Sequence, residues 1–135
     1  MKRHKIILFA IITCFCGFAS QAKPTKAQAF QPAPKITIVK ASWYSKQSPG
    51  INYRTANNEV FDDKDLTCAI WGVPFNQEIK VTNLSNGKSI IVRVNDRGPH
   101  RRFVKQGRGI DLTKKAFAEI GSLKSGLIKV SLEFL

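Results

Sequence analysis

Residues 78–95 read EIKVTNLSNGKSIIVRVN. Ile79 and Val81, then Ile90, Val92 and Val94, fall at alternate positions, and that period of two marks strands with one buried face. Asn86-Gly87 separates the two runs. Both residues tolerate the positive φ that tight turns require, so EIKVTNL (78–84) and SIIVRVN (89–95) are expected to form a hairpin. Outward from this pair the same signature recurs in ITIVKASWY (36–44) and LIKVSLEF (127–134), with weaker strands expected at Glu59–Phe61 and Gly109–Leu112. Only TKKAFAEIG (113–121) has helical spacing, with Thr113 as N-cap, Phe117 and Ile120 facing inward and Gly121 past the end. Strands this short best remove their exposed edges by closing into a small barrel.

At 135 residues the chain has room for one core. Its 43% hydrophobic and 23% charged content excludes a wholly disordered chain. A formal net charge of +13 points to an anionic partner without choosing among nucleic acid, membrane and cell wall. The N-terminus narrows the choice. Lys2, Arg3 and Lys5 precede an apolar run from Ile6 to Ala19, too short to span a bilayer comfortably, and Ser20 and Ala22 occupy the small-residue positions of a signal peptidase site. Residues 1–22 are therefore expected to be a signal peptide, with cleavage after Ala19 as the second choice. The exported chain belongs in the periplasm or cell envelope, where nucleic acid is not an expected partner, and no stable membrane insertion is expected after cleavage. Lipid attachment at Cys14 or Cys16 is weakly supported, since Phe15 stands before Cys16 and Ile11, Ile12 and Thr13 before Cys14. KPTKAQAFQPAPK (23–35) has three prolines and no apolar face, the pattern of an extended tether, and the globular domain is expected over 36–135.

After signal removal one histidine, His100, and one cysteine, Cys68, remain. A zinc site with three or four His/Cys ligands cannot be assembled from them, and neither a metal nor another cofactor is expected. A Cys68-His100 dyad would make a cysteine hydrolase, but Cys68 sits in LTCAIWGVPF with no neighbouring positive charge to activate it, which favours a buried, inert thiol. Carboxylates are left. Asp96 ends the apolar run SIIVRVN and opens the turn Asp96-Arg97-Gly98-Pro99, so it belongs at the barrel rim, either as a general acid in a groove or as an acceptor for turn amides. Glu59, in TANNEVFDD, is a second candidate. Asp111, close to Thr113, reads more readily as a helix-terminus charge than as a reserve catalytic group. Trp43, Tyr44, Tyr53 and Trp71 offer flat aromatic faces, with Tyr44 the expected exposed one and Trp43 or Trp71 expected in the core. Arg97, Arg101, Arg102, Lys105 and Arg108 form a basic run that reads equally as a carboxylate site or a solvated loop.

Read together, ASWYS (41–45), TANNEVFDD (55–63), LTCAIWGVPF (66–75), KVTNLSNGKSIIVRVNDRGP (80–99) and GRGIDLTKKAF (107–117) closely resemble the rare lipoprotein A (RlpA) family, the septal ring lytic transglycosylases. The resemblance implies a mainly β fold, a six-stranded double-psi β-barrel with one or two short helices. It also implies endolytic cleavage of peptidoglycan between N-acetylmuramic acid (MurNAc) and N-acetylglucosamine (GlcNAc), leaving 1,6-anhydro-MurNAc ends. By position, the family's Asp in VNDRGP falls on Asp96 and its Glu in the TANGE-type motif on Glu59, the expected catalytic pair. Tyr44, Asn95 and Arg97 are the expected substrate-binding residues, peptidoglycan glycan strands the expected partner, and a monomer the expected state. One departure stands out: many members read LTAAH where this chain has Leu66-Thr67-Cys68-Ala69-Ile70, so Ile70 is expected to replace a groove histidine. The rival reading is a non-catalytic, expansin-like wall-binding or wall-loosening module, since one barrel serves several functions.

Overall fold

The computed structural model describes residues 35–135; the expected signal peptide and the tether through Pro34 lie outside the described residues. Six strands, β1 (Ile36–Tyr44), β2 (Thr67–Ala69), β3 (Glu78–Asn83), β4 (Ser89–Asp96), β5 (Arg108–Thr113) and β6 (Ile128–Phe134), close into a barrel in the order β1-β5-β2-β4-β3-β6. The β1–β5 and β2–β4 pairs are parallel and the remaining pairs antiparallel, the double-psi arrangement. A short helix α1 (Arg101–Val104) lies between β4 and β5, and α2 (Lys114–Ile120) follows β5.

The alternation in the sequence becomes the barrel interior. Ile79 and Val81 of β3, Val92 and Val94 of β4, and Val130 and Leu132 of β6 are buried almost completely. Thr113 ends β5 and caps α2, its Oγ1 accepting from the Ala116 N–H at 3.4 Å, and the helix then buries Phe117 and Ile120 in the same core. Burying a Phe or Ile side chain contributes roughly 1.5–3 kcal/mol, so a helix of seven residues is held by packing rather than by its own propensity.

Three local expectations are corrected. Glu59–Phe61 is not a barrel strand; Val60 makes only an isolated bridge with Arg54, while Thr67–Ala69 supplies the strand between β4 and β5. All three β2 residues are buried, so no alternation of polar and apolar residues marked it. In the hairpin, Gly87 alone adopts positive φ (72°); Asn86 works through its side chain, with Oδ1 accepting from the Lys88 N–H at 2.9 Å and Nδ2 donating to the Ile120 carbonyl at 3.0 Å. The basic run after Pro99 contains a short helix, although only residues 113–121 have helical spacing in the sequence.

Two bulges position the site. Cys68 pairs with Val94 but Ala69 pairs with Asp96, leaving Asn95 as the extra residue of β4. Lys40 pairs with Arg108 but Ala41 with Ile110, leaving Gly109 as the extra residue of β5. By strict alternation Asp96 would share the inward face of Val92 and Val94, and Arg108 that of Ile110 and Leu112. Each bulge turns its polar residue onto the outer wall. Gly109 is required by close approach: a Cβ there would stand 2.5 Å from Val39 Cγ1.

Candidate active site

A groove of about 510 Å³ runs across the outer face of β1, β5, β2 and β4. Its floor is one lateral row of paired residues: Ser42 opposite Asp111, Asp111 opposite Ala69, and Ala69 opposite Asp96. Two strand spacings, roughly 10 Å between Cα atoms, therefore separate the two aspartates. Gly98 keeps the space between them open; a Cβ there would meet Ala69 Cβ at 3.2 Å and Asp111 Oδ2 at 3.5 Å.

Asp96 accepts hydrogen bonds from backbone amides and also borders the groove. Its Oδ1 accepts from the Ala56 N–H at 2.9 Å and from the Arg97 N–H at 2.8 Å. Among the described residues nothing donates to Oδ2, and the side chain borders the groove. The carboxyl is thus oriented by backbone and still has one oxygen for a ligand.

Glu59 supports this arrangement from behind. Its carboxylate takes a two-pronged contact from Arg93, Nη1 to Oε1 at 2.7 Å and Nη2 to Oε2 at 2.8 Å, with further donation from Asn57 Nδ2 at 2.8 Å and Asn95 Nδ2 at 3.2 Å. The Arg93 hydrogen bonds, more than any other cause, lower its pKa to about 2. A carboxylate so fully engaged is a poor proton carrier near neutrality, but it clamps residues 55–59 against β4. The Thr55 N–H donates to the Glu59 carbonyl at 2.9 Å and the Asn57 N–H to the Asn95 carbonyl at 3.2 Å, and between them Ala56 presents its N–H to Asp96.

Asp111 is a groove carboxylate and not a helix cap, a role that Thr113 fills. Burial raises its pKa above the ordinary aspartate value, partly offset by the hydrogen bond from Ser42 Oγ and by the charge of Arg108. The pattern Ile110-Asp111-Leu112 carried the signal, since a strand that buries both neighbours sends the middle residue to the opposite face.

Other expected site residues move. Tyr44 is 7% exposed, stacked on Phe61 with ring centroids 4.8 Å apart, so it is part of the groove floor and not an exposed sugar platform. Its buried hydroxyl has no hydrogen-bond partner among the described residues, and burial with the nearby Asp96 charge holds its pKa far above the usual tyrosine range, keeping it a neutral donor. Asn95, expected to bind substrate, is 3% exposed and its Nδ2 donates to Glu59 Oε2 at 3.2 Å. Arg97 does border the groove, its guanidinium 3.7 Å from the centre of the Phe75 ring. Trp43 packs against the core, its indole N–H donating to the Leu123 carbonyl at 3.1 Å, whereas Trp71 is 44% exposed on the groove edge.

Ile70 is 6% exposed and belongs to the barrel core, so position 70 is not a groove position in this chain. Cys68 is completely buried and its thiol is pushed up to about 12 by that burial, which removes it from nucleophilic chemistry. His100 caps α1, its Nδ1 accepting from the Arg102 N–H at 3.3 Å. Among the described residues no three His, Cys, Asp or Glu side chains converge as metal ligands would.

The chain is similar to known proteins in sequence and in fold. The chain is 42% identical over 114 residues to a probable endolytic peptidoglycan transglycosylase RlpA of Synechocystis, covering 82% of this chain and 33% of that protein. It is 43% identical over 96 residues to the endolytic peptidoglycan transglycosylase RlpA of Vibrio cholerae, covering 71% of this chain and 34% of that protein. The chain thus spans about a third of the length of the curated relatives it matches. Among solved structures, Streptomyces papain inhibitor superposes with a TM-score of 0.59 at 22% identity, covering 77% of this chain and 97% of the inhibitor. A Clavibacter michiganensis expansin superposes with a TM-score of 0.56 at 19% identity, covering 75% and 50%. At such identities these two share the fold alone. The model of the lytic transglycolase family matches residues 36–132, the span that builds both the barrel and the groove, and this chain belongs to that family.

Proposed function

We propose that this barrel is an endolytic peptidoglycan lytic transglycosylase, a carbon-oxygen lyase that cuts the MurNAc-GlcNAc bond and leaves 1,6-anhydro-MurNAc ends. The observation that carries this reading is the Asp96 carboxyl, which borders the groove, oriented by two backbone N–H donors on Oδ1 and with no donor on Oδ2 among the described residues. The names of the RlpA relatives support it.

In this mechanism Asp96 gives its proton to the glycosidic oxygen as the C–O bond breaks. The same carboxylate then takes the proton of the muramyl 6-hydroxyl as that oxygen closes on C1. No water attacks, and no cofactor is needed. Glu59 acts through Asp96 as a positioning residue by holding the Ala56 N–H in place. The Tyr44 ring and Asp111 line the floor on which the oxocarbenium-like sugar rests. Arg97 contacts the substrate at the groove edge, and the protein acts as a monomer. Such a substrate lies outside the cytoplasmic membrane, and the reading includes export through the signal over residues 1–22. Intact-mass measurement of envelope protein, with an N-terminus at Lys23 or Ser20, tests that part.

The principal test is the product. Purified chain is incubated with peptidoglycan sacculi, and soluble fragments are analysed by mass spectrometry. Release of 1,6-anhydro-muramyl ends is expected. Reducing ends would make the protein a hydrolase, and binding without release would make it a non-catalytic wall module.

A further inference from the structure

The segment between β4 and β5 carries more charge than acid-base chemistry uses. Arg97, Arg101, Arg102, Lys105 and Arg108 are not interrupted by an acid. Among the described residues none of the five forms an ion pair. Four are nonetheless held in place by aromatic rings. The Arg97 guanidinium lies 3.7 Å from the Phe75 centroid and donates to the Ile70 carbonyl at 3.2 Å. Arg108 and Arg102 lie 4.2 and 4.5 Å from the centroid of Phe103. Arg101 lies 5.1 Å from the centre of the Trp71 ring, and the Trp71 indole N–H is tied to the Pro99 carbonyl at 2.7 Å. Stacking fixes a guanidinium plane while leaving N–H groups on its edges free to donate.

Core packing does not account for this segment, because α1 buries none of its side chains. Its position does. Trp71, Arg97, Phe103 and Arg108 border the same groove as Asp96, and the facing border, Ser48, Pro49, Gly50 and Ile51, is uncharged. The bulge at Gly109 brings Arg108 to this wall. On one bank, Arg97 and Arg108 therefore border the groove as oriented cations with no ion-pair partner among the described residues, and Arg101 and Arg102 are held by the neighbouring Trp71 and Phe103 rings.

We propose that this bank is a carboxylate-binding subsite for the acidic substituent of the muramyl residue. The proposal rests on the peptidoglycan reading above and deepens it. GlcNAc is uncharged. The muramyl residue carries a lactyl group, which ends in a free carboxylate where the stem peptide has been removed; where the peptide remains, its own carboxylates take that place. Either source offers a planar anion matched to the guanidinium fork. Charge then recurs on every second sugar, and the subsite sets the register of an alternating polymer. It brings the bond on one side of the muramyl ring, and not the other, to Asp96, and it rejects neutral chitin-like strands.

The test measures binding of the full chain to phosphatidylglycerol vesicles and to three glycans: chitohexaose, glycan strands stripped of peptide, and peptide-bearing strands. Arg101→Gln combined with Arg108→Gln is expected to weaken binding of one or both acidic strands by about tenfold, with no change for chitohexaose. Loss confined to stripped strands identifies the lactyl carboxylate, and loss confined to peptide-bearing strands identifies the stem peptide. Arg101→Gln with Arg102→Gln, both on α1 where nothing is buried, repeats the measurement without touching β5 and is expected to show a smaller loss on the same ligands. Equal losses on chitohexaose, or none on any ligand, would overturn the subsite while leaving the peptidoglycan reading intact. Unchanged glycan binding with lost adsorption to phosphatidylglycerol vesicles would move the bank to a membrane surface. An unmodified chain that bound none of the three glycans would remove the peptidoglycan reading and the subsite together.

Discussion

Asp96 and Asp111 stand on either side of Ala69 in one row across β4, β2 and β5, and they face a single groove from unlike settings. Asp96 is held by two backbone donors. Asp111 is desolvated and receives one hydroxyl, from Ser42. Two carboxyl groups in different environments on one surface are the usual means by which a site separates a proton-transferring group from a supporting one.

Asp96→Asn is expected to reduce the formation of anhydro-muramyl ends at least about a hundredfold, since general acid-base groups commonly supply about 10²- to 10⁴-fold in rate. The fold survives because the Asn side-chain oxygen still accepts from the Ala56 and Arg97 N–H groups. Mass spectrometry of muropeptides released by the folded variant checks this. Product at the unmodified rate would transfer the role to Asp111.

Glu59→Gln removes the charge that clamps Arg93, and activity should fall by about tenfold through kcat, less than for Asp96→Asn. Because its folded pKa, about 2, lies below the ordinary 4.5, ionised Glu59 stabilises the fold above the upper value and loses that contribution as pH falls through the lower one. Urea unfolding of both proteins should show a difference at pH 6 that shrinks between pH 4.5 and 2. A difference independent of pH would mean that the ion pair is not its source.

For Asp111 the sign is opposite. A raised folded pKa means that its ionisation opposes folding as pH rises above the ordinary aspartate value, 3.8. Asp111→Asn should therefore gain stability relative to the unmodified chain between acid and neutral pH, a gain absent below pH 3. Ser42→Ala, which removes a hydrogen bond to the ionised form, should deepen the loss on raising pH. Thermal midpoints across pH measure both effects.

Cys68 should resist iodoacetamide at pH 8 in the folded chain and react once unfolded, because its thiol is buried and pushed up to about 12. Cys68→Ala should cost about 1 kcal/mol of stability and leave product formation intact. Lost activity in a folded Cys68→Ala chain would revive the cysteine-hydrolase reading.

Gly109→Ala drives a methyl into Val39 and should destabilise the barrel by about 1–3 kcal/mol. Val39→Ala in the same chain should recover part of that loss, since the clash is with that side chain. Denaturant midpoints of the two single variants and the double variant give the coupling directly, and additive effects would place the strain elsewhere.

Much of the architecture was legible in one dimension. The alternation in EIKVTNL and SIIVRVN, the Gly87 turn, and Thr113 capping a helix that buries Phe117 and Ile120 are consequences of local spacing, and they reappear in β3, β4 and α2. Family resemblance brought Asp96 and Glu59 forward, and Asp96 does stand at the open end of an apolar strand. Local spacing did not reveal that Glu59 is spent on Arg93, because those residues are 34 positions apart.

Composition and strand content followed from the chain itself, because hydrophobic period and turn chemistry act over a few neighbouring residues. Which residues share a surface depended on strand order and register. The three-residue strand β2 brings Asp96 and Asp111 to either side of Ala69, and the bulges at Asn95 and Gly109 reverse the facing of Asp96 and Arg108. A one-residue slip sends a side chain through the wall of a sheet, and it leaves no mark in the sequence beyond a small or polar residue at the slip.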